Sequence, residues 1–116
     1  MAEVQNINEI VEAKIAELKA KYSCNIIPLV FRDKDGGYVV GYLKEPTRTL
    51  KLSLMDKYAQ QEAYSGAAPI FDLCILREES DARIYSEAPE NDVYYIAALS
   101  QINSLVMVAQ PVFKKK

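Results

Sequence analysis

The chain has 116 residues, half of them hydrophobic and 26% charged, and its 14 basic and 16 acidic side chains give a formal charge of −2. That is the size and balance of one globular domain, and it excludes a disordered tail, a collagen-like repeat and an overall basic nucleic-acid-binding surface. The absence of histidine removes the commonest general base, the usual metal ligand and any Ser-His or Cys-His nucleophile pair.

Met1-Ala2-Glu3-Val4-Gln5-Asn6 has neither the basic nor the apolar region of a signal peptide. Val4, Ile7, Val11, Ile15, Leu18 and Tyr22 then recur at steps of three and four, which predicts a helix over residues 3–22. Acidic residues lead and lysines close this stretch, the order a helix dipole favours. Its narrow stripe suits a core face; the alternative use is a seam between subunits of a homo-oligomer. Asn25 to Phe31 and Tyr38 to Leu43 are two β-rich runs around Asp35-Gly36-Gly37, the pattern of an antiparallel hairpin. Pro28 cannot donate to a ladder, so the first strand is expected at an edge or paired only beyond that point.

Lys44-Glu45-Pro46-Thr47 ends the second strand and opens a helix with the stripe Leu50, Leu54, Met55 and Tyr58, which Ser65-Gly66 is expected to stop. Pro69 is expected to start a third helix with Ile70, Leu73, Cys74 and Leu76 inward. Residues 81–89 read as a connecting loop. Pro89-Glu90-Asn91-Asp92 opens a last helix, with Tyr95, Ile96, Leu99, Ile102 and Val106 on one face until Pro111. The run near residues 94–108 is broken by Ser100, Gln101, Asn103 and Ser104, too polar for a membrane span. The expectation is a single α+β domain over residues 1–116, in the order α-β-β-α-α-α, with a short flexible basic tail at 112–116. It is expected to be soluble, in a reducing cytoplasm, with no membrane or nucleic-acid partner.

No set of residues assembles a catalytic, cofactor or metal site. Cys24 and Cys74 lie 50 residues apart without ligand-spaced partners, and they read as small buried hydrophobes with reduced thiols. The acids at 78–81 and 87–92 match no calcium-loop spacing and read as solvated surface. Gly36-Gly37 reads as turn chemistry, and Lys114-Lys115-Lys116 as a solubilising end. Eight tyrosines are more informative. Half-buried core positions account for most, and an exposed subset fits a partner surface, where tyrosine joins apolar area to a polar tip.

A helix ending in Lys21-Tyr22, a hairpin ending in Gly41-Tyr42-Leu43-Lys44, and Glu45-Pro46-Thr47-Arg48 opening a helix resemble the layout of tail assembly chaperone-like proteins of bacteriophages and prophages. The likeness covers most of the chain in layout, and Lys44 to Arg48 is its local motif. The long first helix and Ala67-Ala68-Pro69 depart from the pattern, where a more acidic, glycine-containing turn is expected. The resemblance implies a non-enzymatic protein of the bacterial host cytoplasm that binds a tape-measure or tail-tube subunit before assembly. It also implies a frameshifted extension, and Lys114-Lys115-Lys116 is what an A-rich slippery run encodes.

The expected activity is therefore protein–protein interaction without a cofactor, through an apolar, tyrosine-bearing surface on the outer side of the last helix (Tyr94, Leu105, Val108) and around Phe113. The alternative is a structural virion component, a head–tail connector or capsid-associated protein. An enzyme is the remaining class; it would need a Lys, Tyr or carboxylate mechanism gathered in a pocket.

Overall fold

The computed structural model describes residues 2–105, with side chains from residue 6 onward. It contains helix α1 (Ala2–Tyr22), an antiparallel hairpin of β1 (Ile26–Arg32) and β2 (Tyr38–Lys44), then α2 (Arg48–Ala59), α3 (Ala63–Cys74), a short α4 (Ala82–Tyr85) and α5 (Asp92–Leu105). This is the α+β order expected from the sequence.

The hairpin pairs Ile26 with Lys44 and Arg32 with Tyr38. Asp33 builds its turn: one carboxylate oxygen accepts from the amides of Asp35 at 2.9 Å and Gly37 at 2.7 Å, and Gly36 takes a φ of +85°. Side chains alternate across the pleat, and both faces are used. Leu29, Val39 and Leu43 enter a core with Leu54, Ile70, Phe71, Ile84, Leu99 and Ile102 from the later helices. Ile26 and Tyr42 point the other way and meet Val11 and Leu18 of α1 together with Leu76. The α1 stripe is thus a core face, and the hairpin is the layer between α1 and the other helices.

Beyond β2 the chain returns along its outer edge. Leu43 bridges Ile75, the Leu76 amide donates to the Tyr42 carbonyl at 2.9 Å, and the Asp81 amide donates to the Val40 carbonyl at 2.8 Å. Ser80 Oγ accepts from the Tyr42 amide at 2.9 Å. Tyr42 therefore turns its own amide and carbonyl away from Pro28, its partner in register. Pro28 then faces the open side of β1 with the nitrogen that has no hydrogen, so the edge placement expected for it holds.

Three expected boundaries differ. The α2 helix ends at Ala59, not at Ser65-Gly66. Gln61 adopts φ +63°, and the amides of Gln61 and Glu62 donate to Tyr58 at 2.9 Å and Lys57 at 2.8 Å, a Schellman closure without glycine. Ser65-Gly66 lies inside α3, where Gly66 allows a close approach: a Cβ there would sit 2.7 Å from Lys57 Cβ on α2. Pro69 is likewise interior to α3, not at its start. It forgoes one helical hydrogen bond, and the burial of Ala67, Ile70 and Phe71 around it offsets that loss. Residues 81–89, expected as loop, hold α4. Asp81 caps α4 by accepting from the Arg83 amide, and Ile84 is fully buried. Three residues assigned to inner faces or stripes point outward, Leu73 at 65% exposure, Tyr58 at 60% and Ile96 at 52%.

Charged contacts fix two of these joints. Glu79 receives Lys14 at 3.0 Å and Lys21 at 2.8 Å from α1. Arg83 meets Asp81 at 2.8 Å and the turn residue Asp33 at 3.3 Å. Hydrogen bonds from Lys21 and Lys14 hold the Glu79 carboxyl below its ordinary range. The Gly37 amide first, with help from Asp35 and Arg83, lowers Asp33.

The Gly66→Ala variant is expected to lose about 1–3 kcal/mol to overpacking against Lys57, outweighing the gain in helix propensity of about 1 kcal/mol. Urea unfolding followed by circular dichroism checks it, and an unchanged midpoint contradicts the close α2–α3 approach. Pro69→Ala, at an exposed position, is expected to gain about 2 kcal/mol as the missing helical hydrogen bond forms. Because the folded-state pKa of Glu79 is depressed, its stabilising contribution is complete above about pH 4.5 and is lost as pH falls through the folded value. Thermal melts of Glu79→Gln are therefore expected to show a lower midpoint at pH 7 and a shallower decline between about pH 5 and pH 2 than the parent.

Candidate interaction surface

The buried side of α5 carries Tyr94, Ala98, Leu99 and Ile102. Its opposite side, at helical spacing, carries Val93, Ile96, Ser100 and Asn103. Val93 is 62% exposed. The α3 helix runs beside α5 in the opposite sense: Tyr64 at its start reaches Ser100 with an oxygen–oxygen distance of 2.9 Å, and Phe71 near its end meets the Tyr95 ring edge-on at 5.0 Å. Tyr64 thereby joins the α5 stripe at mid-height. Further along, Met55 and Tyr58 of α2 share a cleft of about 240 Å³ with Asn103. The result is one surface, Val93–Ile96–Tyr64–Tyr58, half apolar and half hydroxyl-tipped. Asn103 Oδ1 is buried beneath this surface, without a hydrogen-bond partner among the described residues.

The sequence expectation put the outer side of the last helix at Tyr94, Leu105 and Val108; in the structure Val93 and Ile96 are the exposed apolar residues of α5. Tyr94 is turned inward, only 8% exposed, and its ring lies 5.9 Å from the Arg83 guanidinium. Leu105 is half-buried and packs on the main core. Val108 and Phe113 lie outside the described residues. Assigning Ile96 inward and Tyr94 outward rotates the helix in phase. The polar residues Ser100, Gln101 and Ser104 are the sequence signal for the true outer side. Of the eight tyrosines, Tyr58 and Tyr64 are the exposed ones, and both fall on this surface. Sequence periodicity placed Tyr58 on an inner stripe and gave Tyr64 no position.

Two clefts flank the stripe's supporting helices. One, of about 420 Å³, opens at the N-terminal end of α5 between Asp72, Arg77, Tyr85, Glu87, Asp92 and Tyr95. The Arg77 guanidinium stands 5.2 Å from the centre of the Tyr85 ring, and the Tyr85 hydroxyl donates to the Arg77 carbonyl at 3.3 Å. Burial, and then the Asp72 carboxylate, push the Tyr95 phenol upward.

The other, of about 360 Å³, brings Cys24 and Cys74 to one cavity with Tyr22, Lys44 and Glu45. Both cysteines are free thiols. Burial pushes the Cys74 thiol up, away from the thiolate that a nucleophile requires. Glu45 is ion-paired with Lys51. Among the described residues no three His, Cys, Asp or Glu side chains are grouped to hold a metal, and no helix is long and apolar enough to cross a membrane.

Comparison with protein-family models, with curated proteins and with solved structures finds no match to this chain.

Proposed function

We propose that this protein works by binding another protein, with the Val93–Ile96–Tyr64–Tyr58 surface as its docking face. The observation that carries the reading is the convergence of both exposed tyrosines with two exposed aliphatic side chains across three helices. Isolated apolar residues on a surface are ordinary. Val93 and Ile96, three residues apart on α5 and edged by the hydroxyls of Ser100, Tyr64 and Tyr58, suit the apolar face of a partner helix laid alongside α5.

The partner class comes from the likeness to tail assembly chaperones: a tape-measure or tail-tube subunit, bound before assembly. In that role the docking face covers segments of the partner that would otherwise associate with one another.

The reading is tested by co-expression with the tape-measure protein of the same phage or prophage, followed by affinity purification. The parent is expected to retain the tape-measure protein. The Ile96→Asp and Val93→Asp variants, altered at exposed positions and so expected to fold, should retain at least tenfold less; equal retention would falsify the docking face. Mass spectrometry of finished particles is expected to find the protein absent, and its presence there would replace the chaperone role with a structural one.

A further inference from the structure

The larger cleft sits beside this docking face and has a chemistry of its own. Its walls are aromatic: Tyr85 and Tyr95 are half-buried, with Phe71 beneath Tyr95. Its rim is acidic: Asp72, Glu87 and Asp92 face a single cation, Arg77. Arg77 reaches Asp72 at 4.0 Å. Among the described residues Glu87 and Asp92 make no ion pair, and no cation stands over Tyr95. The protein already seats one organic cation here, the guanidinium over Tyr85. Tyr95 lines the same cleft together with Asp72, Glu87 and Asp92, a second ring among carboxylates, and its phenol senses the Asp72 charge.

Rings joined to carboxylates select among ligands. The negative face of an aromatic ring attracts a cation spread over carbon and nitrogen, and nearby carboxylates add long-range attraction. Three acids against one arginine disfavour phosphate and carboxylate ligands. A bare metal ion gains little here, since it needs oxygen donors converging at short range. A volume of about 420 Å³ lies within the usual range of small-ligand sites, about 300–1,000 Å³, and is ample for an aliphatic stem ending in an ammonium head. Asp92 precedes Ile96 by one helical turn, so a group entering the cleft borders the apolar stripe without occupying it.

We propose that this cleft binds an alkylammonium group, held against the Tyr95 ring between Glu87 and Asp92. Both a free amine and the side chain of a lysine in a protein segment carry that chemistry. The site stands apart from the docking reading, because its ligand is defined by charge and ring geometry and is assayed without a partner protein.

The test is a titration of the isotope-labelled full chain followed by amide NMR, with n-butylamine and with acetyl-lysine-methylamide as probes. Saturable shifts are expected at Tyr85, Asp92 and Tyr95, weakening at least threefold between about 20 and 300 mM salt. The neutral control, the same lysine probe acetylated on Nζ, is expected to leave these signals unmoved. Glu87→Gln and Asp92→Asn change exposed side chains and are each expected to weaken binding about fivefold, with the remaining amide spectrum unchanged. Tighter binding of the lysine probe than of n-butylamine assigns the site to a peptide lysine, and the reverse order assigns it to a free amine. No saturable shift with either probe, equal shifts with the acetylated control, or unaltered affinity in both variants overturns the proposal. Loss of tape-measure retention in Ile96→Asp leaves this titration unchanged, so the two readings fail separately.

Discussion

A two-stranded sheet has too few hydrogen bonds and too little covered area to persist by itself in water. In this protein the constraint is met at β2, whose backbone groups are engaged on both sides. One side pairs with β1 and the other with the returning segment at residues 75–81, where Ile75, Leu76, Ser80 and Asp81 take up positions left vacant by a third strand. That segment also carries Glu79, which ties down α1, and Asp81, which caps α4. Buried backbone groups must find partners, and one stretch of irregular chain supplies them while orienting elements on both faces of the hairpin.

The charged side chains reinforce this frame more than they drive it. Arg83 is the common member: it bonds to Asp81, which caps its own helix, to Asp33 in the hairpin turn, and it lies over the ring of Tyr94. Three elements, α4, the hairpin turn and α5, therefore meet at one guanidinium, whose rigid fork suits several acceptors at once. The ion pair raises Arg83 and lowers Asp81 together. Exposed pairs of this kind contribute modestly to stability; the geometry they impose places α4, and with it Tyr85, at the mouth of the larger cleft.

The sequence was readable where structure is local. The Asp-Gly-Gly hairpin turn, the edge position of Pro28, the first helix and the overall order follow from turn chemistry and periodicity, whereas the part Asp33 plays in that turn did not show. It was misleading where a residue serves a distant neighbour. Gly66 and Pro69 carry the marks of a break, yet Gly66 is small because Lys57 of α2 lies against it, and Pro69 is carried by buried residues on either side. In α5 the adjacent Tyr94 and Tyr95 left the helical phase ambiguous by one residue, which was enough to exchange Tyr94 with Ile96. The larger cleft had no local signature, since its lining is drawn from α3, α5 and the chain between them, and its acids looked like ordinary solvated surface.

The open side of β1 has a consequence for how this molecule can meet others. An incoming strand would need a continuous row of donors and acceptors, and the row is interrupted at Pro28, the third residue of the seven-residue strand. Growth of the sheet by a second copy or by an extended peptide is thus discouraged at the edge of β1 that the described residues leave unpaired. Edge-to-edge pairing is the kind of contact that propagates from one molecule to the next, and Pro28 blocks it on this side of β1.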